Sequence, residues 1–324
     1  MSQGNAQQLP TISAREVIGI LFQEMENAAR ASWISRIANE FQSTVAEEVY
    51  AGLGMAPAMR EWLGGKLAKS FNELSVRIAN KDWESTIAVK NKDLRRDKTA
   101  QLRLRLGEMA DRAVQHEEKL ASALILNGTG TTYGACYDTK ALFADDHSIG
   151  DSGTIDNSIA VSLAGIPAEV GGTVTSPSPE EFIHCVMQGV KTLRTFKDDQ
   201  GEPINGSAKS FLVMVPTGLS VAAEYSLTQT LIAPGQSNPL LSSRNSFEVV
   251  VNQRLTWTDK FVVFRTDNRV KPLISQIEYG PLAKALAEGS DHEFKENEQL
   301  FSVEKSGNMG YGRFDQAVLV DIDA

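Results

Sequence analysis

The stretch LRLRLGEMADRAVQHEEKLASALILNG, residues 102–128, decides the architecture. Leu102, Leu106, Met109, Ala113, Leu120 and Leu124 fall at helical spacing among charged residues, and Asn127-Gly128 is a stop signal. The spacing predicts a helix over 98–127, on the order of 40 Å long at about 1.5 Å per residue. A helix of that length is a spine across a domain.

Upstream of the spine, 12–47 reads as a helical arm. Ile12, Val17, Ile18, Ile20, Leu21 and Phe22 lead into an alanine- and glutamate-rich stretch, with no proline between Pro10 and Pro57. Such an arm needs a surface to lie on. Gly52-Leu53-Gly54-Met55-Ala56-Pro57 breaks it, and Gly64-Gly65 is a second stop. The period then changes to two. Leu74, Val76 and Ile78 precede a polar turn, Asn80-Lys81-Asp82, and Trp83, Ser85, Ile87 and Val89 follow it, which predicts a two-stranded hairpin. An isolated hairpin is marginal in water. It must pair with a neighbouring subunit or pack on its own domain, and the pattern leaves both open.

Downstream, 129–175 is rich in Gly, Thr, Ser, Asp and Asn and reads as loop. Ser178-Pro179-Glu180-Glu181 is a capping box with proline at the first helical position, and Phe182, Val186, Val190 and Leu193 mark the buried stripe of a helix ending near Phe196. A strand over 211–215 stops at Pro216, and helical spacing resumes over 219–232. Further strands are expected at 247–251 and 261–264, separated by Trp257-Thr258-Asp259. Closing strands at 300–305 and 314–322 are joined by the glycine-rich 307–312.

The chain has 324 residues, 42% of them hydrophobic and 23% charged, which suits a globular protein with two core-bearing units. No apolar run approaches the roughly 20 residues a spanning helix needs, so no membrane partner is expected. The opening MSQGNAQQLPTISAREV lacks the basic start and apolar stretch of a secretory signal, so the chain is expected to stay in the cytoplasm where it is made. With 32 basic and 41 acidic residues the formal charge is −9, the wrong sign for neutralising a phosphate backbone. A wall that only confines DNA needs no affinity for it. Cys136 and Cys185 form no disulfide framework or paired metal pattern and read as buried thiols.

The chemistry-bearing residues are sparse. Asp145, Asp146 and His147, with Asp151 nearby, have the donor types for a divalent cation. Asp and His in such loops more often cap turns, so no metal site is assigned. His116 falls on the charged face of the spine, where solvation is expected. His184 and Cys185 are adjacent on a helix and point about 100° apart, so they are no catalytic pair. His292 lies in an acidic, polar segment. Gly128-Thr129-Gly130 and Gly171-Gly172 lack the lysine and the context of a phosphate loop, and Gly218-Leu219-Ser220 lacks the nucleophile-elbow pattern. No catalytic residue and no cofactor is expected.

Three segments carry a family resemblance. The first runs from Trp33-Ile34-Ser35-Arg36-Ile37-Ala38 through Glu48-Val49-Tyr50-Ala51-Gly52-Leu53-Gly54 to Arg60-Glu61-Trp62-Leu63-Gly64. The second is Ile78-Ala79-Asn80-Lys81-Asp82-Trp83-Glu84-Ser85-Thr86-Ile87. The third is Cys136-Tyr137-Asp138-Thr139-Lys140-Ala141-Leu142-Phe143-Ala144-Asp145-Asp146-His147. Together they resemble the Mu-like prophage major head subunit, the T-type head protein. Three positions depart from the family pattern: Gly52-Leu53-Gly54 stands where Trp-Leu-Gly is frequent, Gly65-Lys66 where Gly-Arg is usual, and Thr139 where glycine is usual.

The resemblance implies an α+β fold of the tailed-phage, Hong Kong 97-type major capsid class. It places an N-terminal arm at 1–65, an extended hairpin loop at 66–97, a peripheral domain with the spine helix at 98–177, an axial domain at 178–290, and closing strands that return to the peripheral domain at 291–324. It implies a major capsid protein of a tailed phage or Mu-like prophage, located in the virion and assembled in the host bacterial cytoplasm. Copies would form hexamers and pentamers of an icosahedral shell enclosing double-stranded DNA, with the arm and hairpin each lying across a neighbouring subunit. A separate scaffold or protease, a portal and decoration proteins are the further partners implied. The absence of a long charged pro-segment before the arm leads to the expectation of a separate scaffold. Trp83, Ile87 and Val89 are the candidate hairpin contacts, and Trp33 and Trp62 the candidate anchors near the arm; a core role within the subunit is the alternative for each. The competing functions are the shell of a bacterial nanocompartment, which shares the fold, and a metal-dependent hydrolase using Asp145, Asp146 and His147.

Overall fold

The computed structural model describes residues 14–51, 75–95, 99–166, 168, 171–228, 231–233, 236–238, 240 and 244–323. The helices are α1 (Ala14–Ala31), α2 (Ile34–Ile37), α3 (Asn91–Arg95), α4 (Thr99–Leu126), α5 (Pro179–Thr195), α6 (Ser220–Thr228) and α7 (Asp291–Glu296). The strands are β1 (Ala38–Gln42), β2 (Glu47–Ala51), β3 (Ser75–Ala79), β4 (Lys81–Lys90), β5 (Ser158–Ser162), β6 (Ser210–Val215), β7 (Leu231–Ala233), β8 (Gln236–Ser237), β9 (Ser246–Val251), β10 (Lys260–Arg265), β11 (Leu273–Leu286), β12 (Glu298–Tyr311) and β13 (Ala317–Asp323).

Two sheets organise the chain. A four-stranded sheet has the order β1-β11-β12-β4, and a five-stranded sheet the order β5-β13-β10-β6-β9. The α5 capping box forms as the sequence predicts: the Ser178 side chain accepts from the Glu181 N–H and the Glu181 carboxylate accepts from the Ser178 N–H. Its buried stripe, Phe182, Val186, Gly189, Val190 and Leu193, packs on the five-stranded sheet, where Gly189 lets the helix backbone approach Val263 and Val320. The spine is present as α4, a 28-residue helix. Helix α1 runs along it in the same direction: Val17 clusters with Leu106 and Phe301, and Leu21 and Met25 with Met109, Ala110 and Val303.

The structure corrects several expectations, and most corrections have one cause. Helical character stops at Ile37, because β1 pairs in parallel with β11, some 235 positions along the chain, from Ala38↔Leu273 to Gln42↔Ile277. The Asn39 side chain locks this pairing by donating to the Arg269 carbonyl and accepting from the Lys271 N–H. The predicted hairpin is two strands with different partners: β3 pairs with β2, and β4 with β12. Helix α6 ends at Thr228, and 231–233 is a strand. The glycine-rich 307–312 is no linker, since Gly307 to Tyr311 continue β12. Gly307 lies so close to β11 that an added Cβ would sit 2.3 Å from the Gln276 carbonyl oxygen. Here glycine marks close backbone approach, not a chain break. The sequence assigns no element to 273–286, yet these residues form β11, the 14-residue partner of β12 in the longest hairpin. Of the closing strands only β12 joins the sheet that lies under the spine; β13 pairs with β10 and β5 in the five-stranded sheet.

Candidate functional site

Three groups of residues bear on function: the Asp/His loop, the candidate contact residues, and an exposed apolar row that the sequence did not single out.

The Asp/His loop does not converge. Asp145 and Asp146 are exposed, and Asp146 pairs with Lys140 at 2.8 Å, which holds its carboxyl below the usual range. His147 turns inward and is fully buried. Its Nδ1 lies 2.5 Å from Oδ2 of Asp138, its Nε2 lies 3.3 Å from the Leu142 carbonyl, and its ring stacks on Phe314 at 3.7 Å and 7°. Among the described residues no group of three His, Cys, Asp or Glu could hold a metal ion. The Asp138 carboxylate also accepts from the Lys140 N–H at 3.3 Å. Between them Thr139 adopts φ 69°. For a β-branched residue the left-handed region costs about 1–2 kcal/mol. Thr139→Gly is therefore expected to raise the denaturant midpoint by an amount corresponding to about 1 kcal/mol; an unchanged or lower midpoint would show that the turn stores no strain.

The turn that carries Phe314 joins the two sheets. After β12 the chain passes through Arg313, Phe314, Asp315 and Gln316 into β13, and this crossing is polar and buried. Arg313 donates to both carboxylate oxygens of Asp315, Gln316 Nε2 donates to Asp315 Oδ1 at 3.0 Å, and Asn205 Nδ2 donates to the Asp315 carbonyl at 2.7 Å. Arg265 adds a bond to Asn205 Oδ1 at 2.9 Å. Burial pushes the Tyr137 hydroxyl and the Cys136 thiol upward, and the Cys185 thiol up to about 12, so these groups stay protonated at neutral pH.

The candidate contact residues face their own chain. Trp83, Ile87 and Val89 lie on one face of β4, the face turned to the helices. Ile87 and Val89 pack on the small cores between α1, α4 and β12. The Trp83 indole donates to the Gly307 carbonyl at 2.9 Å and its ring meets that of His116 at 4.2 Å. His116, expected in solvent, is thus half-buried; desolvation first, then Lys305 and Lys119, pull its pKa down. Trp33 packs on the edge of the main core. Trp62 lies outside the described residues.

The opposite face of the same sheet is the feature missed. Leu286 pairs across to Leu300, and Leu300 to Ala88, so the outer face carries an apolar row next to the hairpin end. Leu282 and Leu286 are exposed, and Phe294 in α7, at the hairpin tip, is 90% exposed. Single exposed apolar side chains are ordinary; a row beside a bare aromatic ring is a patch of the kind found at contact surfaces. Leu282 and Leu286 at matching parity are the signal that could have found it, but only once β11 is known to be a strand.

The family model of the Mu-like prophage major head subunit gpT matches residues 14–166. The Mu-like prophage FluMu major head subunit of Haemophilus influenzae is 26% identical over 158 residues, 49% of each chain, so the match spans about half the length of that relative. The major capsid protein of Escherichia phage Mu is 21% identical over 279 residues, 68% of this chain and 90% of that one. Among solved structures, the procapsid of bacteriophage JBD30 matches with a TM-score of 0.53 at 20% identity, over 97% of this chain and 77% of that chain. The virus-like particle from Pyrococcus furiosus matches at 0.51 and 11% identity, over 94% and 100%. At these identities the structural likeness establishes the α+β capsid fold.

Proposed function

We propose, because the chain resembles the Mu-like prophage gpT family of major head subunits over residues 14–166 and is similar to the phage Mu major capsid protein over 68% of its length, that copies of it assemble as hexamers and pentamers into a closed icosahedral phage head around double-stranded DNA. The observation that carries this reading is the long β11–β12 hairpin with its uncovered outer row and the bare Phe294 at its tip. A surface of this kind is stable in water when a second copy lies on it. Interfaces of permanent assemblies commonly bury on the order of 2,000 Å² or more, and a shell subunit has several neighbours, so many modest contacts add up to a wall. The work of the protein is contact, and Asp145, Asp146 and His147 do not converge as a hydrolase would need.

In this reading the divisions at 1–65, 66–97, 98–177, 178–290 and 291–324 serve as arm, hairpin, peripheral domain, axial domain and closing strands. The pairing of 317–323 with β10 and β5 supports grouping them with the axial unit in this reading. The packing of Trp83, Ile87 and Val89 on their own chain supports the core alternative for them, and the outer row is the proposed contact. A separate scaffold or protease, a portal and decoration proteins are the further partners, and assembly takes place in the host cytoplasm.

Electron microscopy with light scattering, on the chain expressed alone and with its genomic neighbours, tests the reading. Closed shells, rings of five or six, tubes or sheets are expected. Phe294→Asp is expected to leave folding within about 0.5 kcal/mol of the parent, as for an exposed site, while shells are lost. A compact monomer or dimer under every condition overturns the assignment, and shells filled with protein and free of nucleic acid would favour a nanocompartment.

A further inference from the structure

The outer face of the hairpin sheet and the outward face of the spine carry matching patterns. Cross-strand pairing sets three rows on the sheet: Leu286, Leu300 and Ala88 in the first, Lys284, Ser302 and Thr86 in the second, Glu304 and Glu84 in the third. Successive rows are two residues apart along each strand, about 7 Å. Lys284 bonds Glu304. Glu84 faces that like charge directly and, among the described residues, pairs with no cation; its carboxylate accepts from the Thr86 hydroxyl at 2.8 Å. Like charges opposed across a ladder are destabilising, so the row gains from a cation supplied from outside. On α4, Leu104, Glu108 and Arg112 are all exposed, Leu104 at 70%. Their four-residue spacing puts each about 6 Å beyond the last along one side of the helix. The sheet thus reads apolar, basic, acidic, and the spine reads apolar, acidic, basic.

We infer that the hairpin of one copy lies on the spine of a second copy, with Leu104 against the leucine row, Glu108 at Lys284 and Arg112 at Glu84. This rests on the reading of the chain as a shell subunit and names the surface its outer row meets. The lengths agree: about 14 Å separates the first row from the third, and about 12 Å separates Leu104 from Arg112. The contact cannot close within one chain. Leu106, Met109 and Ala110 of α4 are buried with Phe301 and Val303 on the inner face of the sheet. Leu104, Glu108 and Arg112 lie on the other side of the helix, turned away from the sheet whose outer face they match. A symmetric pairing of two outer faces would set Glu84 and Glu304 against their own kind. Two different surfaces of one chain make a head-to-tail contact instead, which closes into a ring when the rotation between copies allows it.

Light scattering and electron microscopy on the full-length variants Arg112→Glu and Glu84→Arg test the contact. Both side chains are exposed, so each variant is expected to keep the circular dichroism of the parent. Each alone sets like charges together and is expected to need at least about tenfold more protein to assemble. An equal mixture of the two variants, or both changes in one chain, is expected to restore assembly, because hairpins then find spines of opposite charge on neighbouring copies. Should either variant not fold, Glu108→Lys and Lys284→Glu make the same comparison. Single variants that assemble as the parent does overturn this contact and leave the shell reading standing. Loss in each variant without rescue overturns it too, and assigns the charges to a partner other than a second copy. A parent that never assembles removes the shell reading and this contact together.

Discussion

Asp315→Ala is expected to destabilise the folded chain by about 3–5 kcal/mol, the range for removing one partner of a buried ion pair. The Asp315 side chain is fully buried and the Arg313 side chain 11% exposed. The carboxylate accepts from Arg313 through both oxygens and from Gln316, so its loss strands a guanidinium that the pair holds above its ordinary range. Burial alone would push that guanidinium down; the Asp315 charge and hydrogen bonds outweigh it. The fold gives this residue its leverage, because the pair sits where the chain leaves one sheet for the other. Urea unfolding of the variant measures the effect. A loss below about 1 kcal/mol, the scale of solvated pairs, would mean that water reaches the crossing.

Gly307→Val should cost about 3 kcal/mol or more, at the upper end of overpacking, because the obstacle is backbone. A Cβ at this position would meet the Gln276 carbonyl oxygen at 2.3 Å and the Ile277 Cα at 3.3 Å. Neither atom can turn aside as a side chain does. Gly307 pairs with Ile277 just before the register of the β11–β12 hairpin shifts, and its carbonyl receives the Trp83 indole, so the added bulk disturbs three strands together. Gly310→Ala provides a contrast. There the obstacle is the Ile78 Cδ1 at 2.5 Å, the movable end of a side chain, and a smaller loss is expected. Thermal unfolding of both variants makes the comparison, and a Gly307→Val protein that melts with its parent would rule out the close approach.

These two sites also show where sequence reading reached its limit. Gly307 sits in a glycine-rich run that looks like a linker, and only the nearness of Gln276 reveals it as strand. His147 stands among three carboxylates in sequence, Asp145, Asp146 and Asp151, and bonds to none of them; its partner is Asp138, across a turn. In β4, alternation correctly put Trp83, Ile87 and Val89 on one face, yet alternation cannot say whether that face meets a neighbour or its own helix. The helices α1 and α4 cover it.

By itself the sequence determined the spine helix, the capped α5, the apolar strands β6 and β10, and the family resemblance, because each is written in the spacing of nearby residues. Only the tertiary structure decided that β1 lies beside β11, that β3 and β4 part to different strands, that β13 crosses into the second sheet, and that Phe294 and the Leu286 row stay uncovered. Periodicity records which face of a segment avoids water. It does not name the partner on that face, because strand pairing is settled by backbone hydrogen bonds and close contacts between residues as much as 235 positions apart.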